Sequence, residues 1–168
     1  FIENGLFNNA LPQKMYYETP VFRYERPQAG RLREHHQFGV EYYGASGAEA
    51  DAEVILIAYT LIKKVGLNVK LNINSIGCPE CRKKYNEALK AYLYSKVDAM
   101  CPVCKDRLER NPLRILDCKE DGCKEICKGA PVILDYLCDD CKAHFEKLQT
   151  YLTAAGLDFA VNPMIVRG

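Results

Sequence analysis

Charged side chains that could hold a phosphorylated ligand are concentrated in one short segment near the N-terminus. The segment contains four arginines and two glutamates: Arg23, Arg26, Arg31, Arg33, Glu25 and Glu34. A guanidinium presents a planar fork of donors that matches phosphate oxygens, and it stays charged at every working pH. A solvated charged hairpin is the simpler alternative.

The alternation of side chains along a strand predicts which of these groups act together. Alternate residues of a β-strand share a face, so we expect Arg23 and Glu25 to point the same way. Gln37, Gly39 and Glu41 should likewise share a face of the returning strand. Such a surface would carry a cation, an amide and carboxylates, and it could hold a nucleotide phosphate beside a small cationic or imidazole-bearing ligand.

A second type of chemistry is indicated by nine cysteines, all of which lie between Cys78 and Cys141. Six of them form three Cys-x-x-Cys pairs: Cys78/Cys81, Cys101/Cys104 and Cys138/Cys141. The odd total, the tight pairing and the lack of a secretion signal favour thiolate metal sites in a reducing compartment over disulfides.

The spacing predicts how the cysteines group. The pairs Cys78/Cys81 and Cys101/Cys104 have a separation typical of one tetrahedral zinc site with four thiolates. The remaining five are candidates for a second site: Cys118, Cys123, Cys127, Cys138 and Cys141. A single site, with the other cysteines as small buried residues, is an equal alternative. A redox pair is less favoured, because no Cys-x-x-Cys follows a strand in a βαβ setting. A closed four-thiolate shell would be structural.

Composition limits the partners. The chain is 48% hydrophobic and 27% charged with a net charge of +1, which indicates a globular protein without a global basic field. RNA contact would therefore depend on local clusters such as Arg82–Lys84, Lys105–Arg107 and Arg110, which could equally be solvated helix surface. The longest apolar run, Val54–Ile62, is far shorter than the roughly 20 residues of a membrane span. We expect no membrane partner, and the non-Met first residue leads us to expect a fragment.

The elements that would position these groups form an α+β fold. In the first part, the hydrophobic pattern and the turn residues predict a hairpin (Thr19–Tyr24, Gln37–Tyr43), a helix (Asp51–Val65) after a Ser46/Glu49 capping box, and a strand (Val69–Ile73). Helices are predicted from Pro79, over Pro102–Glu109 and over Asp139–Ala155. An extended connector (Asn111–Leu116) and a short strand (Leu157–Val161) complete the prediction. The cysteine distribution divides the chain into 1–76, a helical cysteine-rich part at 77–156, and a return strand at 157–168.

Three stretches of the sequence resemble motif 2 of class II aminoacyl-tRNA synthetases, and in detail that of the histidine-specific family. They are Phe22-Arg23-Tyr24-Glu25-Arg26-Pro27-Gln28, Gly30-Arg31-Leu32-Arg33-Glu34 and Gln37-Phe38-Gly39-Val40-Glu41. Asn74–Gly77, Asn111–Arg114 and Val166–Gly168 are similar to that family in the same order. The resemblance implies part of a class II antiparallel sheet with a flanking helix, interrupted by an insertion domain that grips the acceptor arm of tRNA.

The resemblance also implies site residues. Arg23 would clamp the α-phosphate of ATP, with Arg167 opposite it as the second catalytic arginine. Glu25 would read the adenine amino group, and Gln37 and Glu41 would bind histidine. The family usually places a Phe where this chain has His35, so His35 would either stack on adenine or serve as a polar strand residue.

The function implied is activation of histidine with ATP and Mg²⁺ to histidyl-adenylate, followed by transfer to tRNA(His), in a cytoplasmic homodimeric parent. Cysteine-bearing insertions are not general to the family, so structural Zn²⁺ is predicted from the cysteine spacing alone. No candidate for the first or third class II motif is present, so we expect the chain alone to be inactive. Two alternatives stay open: a synthetase-like regulatory paralogue that binds histidine or tRNA without catalysis, and a zinc-knuckle nucleic-acid module. Retention of Arg23 and Arg167 argues against the paralogue, and the order from Arg23 to Glu41 argues against the module.

Overall fold

The computed structural model describes residues 1–166, and it has the α+β composition expected from the sequence. The strands are β1 (Gln13–Phe22), β2 (Glu34–Tyr43), β3 (Leu71–Ile73) and β4 (Phe159–Val161). The helices are α1 (Ala48–Lys64), α2 (Pro79–Tyr94), α3 (Pro102–Arg110), α4 (Asp121–Lys128) and α5 (Asp139–Ala154), with 3-10 turns at Leu6–Asn8, Val97–Ala99, Pro112–Ile115 and Ile133–Tyr136.

Strands β1 and β2 form the predicted antiparallel hairpin, with Val21 opposite His35 and Thr19 opposite Gln37. Strand β1 begins at Gln13 and ends at Phe22, so it lies earlier in the chain than predicted. The ladder continues by one bond, from the Arg23 amide to the Arg33 carbonyl at 2.8 Å. Past this bond the chain bends, so strand alternation does not extend to Glu25 as expected.

Helix α1 follows the hairpin, and the residues at its two ends are of the types that begin and end helices. Its first turn carries Glu49 and Asp51 and its last turn Lys63 and Lys64, charges that complement the helix dipole. Gly66, at a φ of 80° that favours glycine, follows its end. The helix begins at Ala48, earlier than Asp51, and the small residues Ala48, Ala50 and Ala52 are its buried ones.

The chain divides into two compact units, Phe1–Ala58 and Tyr59–Gly168. In the second unit β3 pairs in parallel with β4, with Leu71 opposite Phe159, which confirms the predicted short strand near the C-terminus. Asn74 adds bonds to the carbonyls of Pro163 (3.3 Å) and Ile165 (2.9 Å). The segments before and after the cysteine-rich helices therefore run side by side, whereas the domain boundaries at 76 and 156 stay predictions.

The cysteine-rich helices enclose the main hydrophobic core. Leu89 and Leu93 of α2 and Ile115 are fully buried there, and Cys104, Cys123 and Cys127 belong to the same cluster. The segment Asn111–Leu116 is not the extended connector expected from its sequence, because Pro112 starts a 3-10 turn that buries Ile115. Helix α4 had no sequence prediction; Cys123 and Cys127, one turn apart, are its buried residues.

Among residues 1–166, no helix combines the length and apolar character needed to cross a membrane.

Candidate ligand-binding face and cysteine sites

The hairpin register places four of the predicted site residues on one surface. Directly opposed residues of an antiparallel pair share a face, and the register pairs Val21 with His35, Thr19 with Gln37, and Met15 with Glu41. Arg23 continues this alternation through its bond to Arg33. We call the surface formed by Arg23, His35, Gln37 and Glu41 the hairpin face.

Arg23 is held by His35 across the hairpin. Nη2 of Arg23 lies 2.7 Å from Nε2 and 3.1 Å from Nδ1 of His35, and both side chains are partly buried. A guanidinium can only donate, so a ring nitrogen of a neutral His35 accepts. Sequence reasoning missed this contact. The strand register pairs residue 21 with residue 35, and Arg23 lies two residues further along on the same face. Stacking of His35 on adenine stays a prediction.

The loop that carries Glu25 is organised by two of its arginines. Arg31 forms an ion pair with the Glu25 carboxylate, and Nε of Arg33 donates to the Glu25 carbonyl at 3.3 Å. A tight turn closes the loop, in which Gln28 and Arg31 exchange backbone bonds of 3.1 and 2.9 Å. The ion pair is too exposed to add much stability, and its effect is to orient the Glu25 side chain.

Tyr17 is a member of the hairpin face that sequence reasoning missed. Nε2 of Gln37 donates to the Tyr17 hydroxyl at 2.7 Å. The Tyr17 ring lies over Gly39, directly opposite in the register, and a Cβ at position 39 would overlap the ring. Gly39 therefore permits the aromatic ring to lie flat across β2 and to orient Gln37. The signal in the sequence was a glycine between Gln37 and Glu41 with an aromatic residue in the facing strand.

Of the two remaining predicted site residues, the structure describes one. Glu41 is exposed opposite Met15, with its carboxylate open to a ligand. Arg167 lies outside the described residues.

The cysteines form two groups of four, and they are not grouped as the spacing predicted. The outer group is Cys78, Cys81, Cys138 and Cys141; the inner group is Cys101, Cys104, Cys118 and Cys123. Within each group all sulfurs lie within 4.8 Å of one another. The pairs Cys78/Cys81 and Cys101/Cys104 do not share a group, because helix α2, about 24 Å long at 1.5 Å per residue, carries the chain away from the first pair.

The sulfurs sit at helix N-termini, where amides and the helix dipole favour thiolate. Cys78, Cys101 and Cys138 immediately precede α2, α3 and α5. In each group one backbone amide donates to a sulfur that is distant in the sequence. The Cys138 amide donates to Cys81 Sγ at 3.1 Å in the outer group, and the Cys101 amide donates to Cys123 Sγ at 3.4 Å in the inner group. These bonds organise both groups for four sulfur ligands.

Without a cation, burial keeps the thiols of Cys104 and Cys141 from ionising readily, although the hydrogen bond from the Cys104 amide lowers the pKa of the Cys101 thiol. Burial raises the pKa of the Cys141 thiol to about 12 and also raises that of Cys104. A bound metal ion would reverse this, since it deprotonates a coordinating thiol. All nine cysteines are free thiols. The ninth, Cys127, contacts the Ile115 carbonyl at 3.5 Å, and burial raises its pKa to about 11, as suits a small core residue.

An open groove on the second unit carries several of the predicted cationic residues. Its volume is about 550 Å³, and its lining includes Arg82, Lys83, Lys90, Arg110 and Asn111. Arg110 is partly neutralised by Asp106 at 3.3 Å. Glu87 also lines the groove, and the cations that form no ion pair with other described residues could meet a phosphate backbone.

Comparisons with known proteins relate the chain to one family. A family model described as histidyl-tRNA synthetase matches residues 2–96. The chain is 62% identical over its whole length to a histidine–tRNA ligase of Clostridium novyi and 61% identical to one of Caldanaerobacter subterraneus, covering 41% and 40% of those proteins. A crystal structure of apo Staphylococcus aureus histidyl-tRNA synthetase matches 99% of this chain and 38% of its own, with a TM-score of 0.73 and 34% identity. The chain thus spans about two fifths of its curated relatives' length.

Proposed function

The chain belongs to the histidyl-tRNA synthetase family, and we propose that it supplies one side of the active site in which a longer enzyme activates histidine. The observation that carries the proposal is the hairpin face, where Arg23, Gln37 and Glu41 share one exposed surface. In the reaction a histidine carboxylate oxygen bonds to the α-phosphorus of ATP, and the bond to pyrophosphate breaks. A terminal tRNA(His) hydroxyl then attacks the carbonyl carbon, and AMP leaves.

Arg23 stabilises the charge that accumulates on the α-phosphate in the first step. Its guanidinium is already oriented by His35, so little reorganisation is needed when ATP binds. The family resemblance assigns the second arginine of this phosphate to Arg167, which lies outside the described residues. Glu25, oriented by Arg31 and Arg33, accepts from the adenine amino group. Mg²⁺ arrives with the ATP phosphates, as is usual for an ion that keeps few protein ligands.

The histidine substrate is bound by Glu41 and Gln37. The Glu41 carboxylate is suited to a cationic or donor group of the substrate, and the Gln37 amide is fixed by Tyr17. Since polar partners fix orientation as well as affinity, the substrate carboxylate is directed toward the phosphate held by Arg23.

Zinc is the metal that the two cysteine groups favour. Four thiolates in a compact group suit Zn²⁺ in tetrahedral geometry, and such a closed shell is structural. The groove lined by Arg82, Lys83 and Lys90 is the surface offered to the acceptor arm of tRNA(His). The parent enzyme works as a cytoplasmic homodimer, and the 168 residues alone are inactive.

The proposal is tested by histidine-dependent exchange of pyrophosphate with ATP in the full-length protein. Arg23→Ala should reduce the exchange rate on the order of 10²-fold or more, as for other preorganised charge donors. Arg26→Ala, an exposed arginine of the same loop, is the matched control and should stay near the unsubstituted rate.

Three results would contradict the proposal. A full-length protein that binds histidine or tRNA(His) without any exchange is a regulatory paralogue. One that binds RNA but neither histidine nor ATP is a zinc-knuckle module. Exchange activity in the isolated 168 residues would refute their predicted inactivity.

A further inference from the structure

The outer cysteine group lies at the starts of helices α2 and α5, where the chain enters and leaves the core of helices α2–α4. The chain passes from β3 into α2 at Cys78 and from the 3-10 turn Ile133–Tyr136 into α5 at Cys138. We infer that metal in the outer group is a clasp that ties the core of helices α2–α4 to α5 and the β3–β4 pair, a role distinct from that of the inner group. This inference rests on the zinc binding proposed above.

The contacts at this junction bring the entering and leaving segments together. The Cys138 amide donates to Cys81 Sγ at 3.1 Å, and Cys78 Sγ lies 3.4 Å from Cys81 Sγ. Gly77, at a φ of 64°, passes so close that a Cβ would lie 2.8 Å from that of Cys81 and 3.2 Å from Leu137. One ion bound by the four sulfurs would therefore fix both chain segments.

The inner group is instead part of the hydrophobic core. Cys104 and Cys123 are 0% and 1% exposed and belong to the core cluster with Leu89 and Leu108. The buried residues of α5, Phe145, Leu148 and Leu152, lie outside that cluster. Among the described residues beyond Cys138, the cluster is contacted by Met164 and Val166. Directly before α5, Ile133 belongs to the cluster and Leu137 packs against it. The outer group adds a second junction between α5 and the core.

The two groups also differ in solvent access. The outer group has one exposed cysteine, Cys138, and one buried one, Cys81, whereas the inner group has no exposed cysteine and two buried ones. A chelator reaches exposed sulfurs first, so the outer metal should leave before the inner one. The outer metal also closes a longer loop than the inner one, and loop closure restrains a longer chain more strongly.

The experiment compares Cys138→Ser and Cys118→Ser in the full-length protein. The measurements are zinc per chain by elemental analysis, hydrogen exchange by segment, pyrophosphate exchange and tRNA charging. Cys138→Ser should lose one zinc, keep protection in α2–α4, and exchange faster at the start of α5. Pyrophosphate exchange should persist, while charging of tRNA(His) should fall severalfold because the core presents the cationic groove. Cys118→Ser should lose one zinc together with protection in α3 and α4.

Cys141→Ser serves as a second outer variant and should reproduce Cys138→Ser. Loss of both zinc ions or of α3–α4 protection in both outer variants would overturn the clasp, as would retention of two zinc ions or unchanged exchange in α5. Zinc-free unsubstituted protein would refute the metal itself. Absent pyrophosphate exchange in zinc-loaded unsubstituted protein would refute the proposed enzyme while leaving the clasp testable by hydrogen exchange.

Discussion

Gly39 shows how one missing side chain organises the hairpin face. Because Tyr17 lies where a Cβ would be, Gly39→Ala should displace the ring and remove the bond between Gln37 and the Tyr17 hydroxyl. A neutral hydrogen bond contributes about 0.5–1.5 kcal/mol, so the KM for histidine should rise about 2- to 10-fold in pyrophosphate exchange. Tyr17→Phe, which removes only the hydroxyl, is the matched variant and should show the smaller part of the effect. An unchanged KM in both would mean that Gln37 is not oriented by Tyr17.

The contact between Arg23 and His35 separates two roles for that histidine. His35→Phe keeps a planar ring for adenine but removes the acceptor for Arg23. We expect kcat of pyrophosphate exchange to fall while the KM for ATP changes little, because the guanidinium is no longer oriented. His35→Ala should lower kcat as well. If Phe instead restored an ATP affinity that Ala had lost, the ring would act by stacking and not through Arg23.

At the scale of the elements, helix N-termini set where the cysteines can act. Three helices begin directly after a cysteine, whereas Cys127 lies at the end of α4, one turn after Cys123, and faces the Ile115 carbonyl. Cys127→Ala should therefore leave the zinc content unchanged and reduce the free energy of unfolding by about 1 kcal/mol, as for the loss of a small buried group. Metal analysis and urea unfolding measure the two effects. A loss of zinc would place Cys127 among the ligands.

Element boundaries illustrate where local signals suffice. The observed ends of helices α3 and α5 lie within one residue of the predicted ends. Pro102 and Asp139 are strong signals for a helix start, and Gly156 is a strong signal for a helix end. Asn111–Leu116 was predicted extended because a proline disfavours a preceding helix. It instead forms a 3-10 turn, because burial of Ile115 in the core outweighs that tendency. The residues that bury Ile115 lie far away in the sequence, so a short segment cannot predict this outcome.

At the scale of the whole molecule, the second unit should depend on its metals. Its core is small and contains five cysteines in or beside it, so metal binding and folding of α2–α4 should be coupled. Under reducing conditions a zinc chelator should lower the helical circular dichroism of the 168-residue chain, and added Zn²⁺ should restore it. Addition of Mg²⁺ instead is the control. Undiminished helicity after complete removal of zinc would show that the core folds without metal.

The sequence by itself determined the local arrangement and predicted the chemistry. Strand alternation predicts that Gln37 and Glu41 share a face, and Cys-x-x-Cys spacing predicts metal ligands, because both depend on residues a few positions apart. Only the tertiary structure decided which groups meet. Helix α2 carries the second pair away from the first, and the returning chain brings Cys138 to Cys81; likewise the strand register brings His35 to Arg23. These contacts join residues distant in sequence, so they depend on how the chain returns.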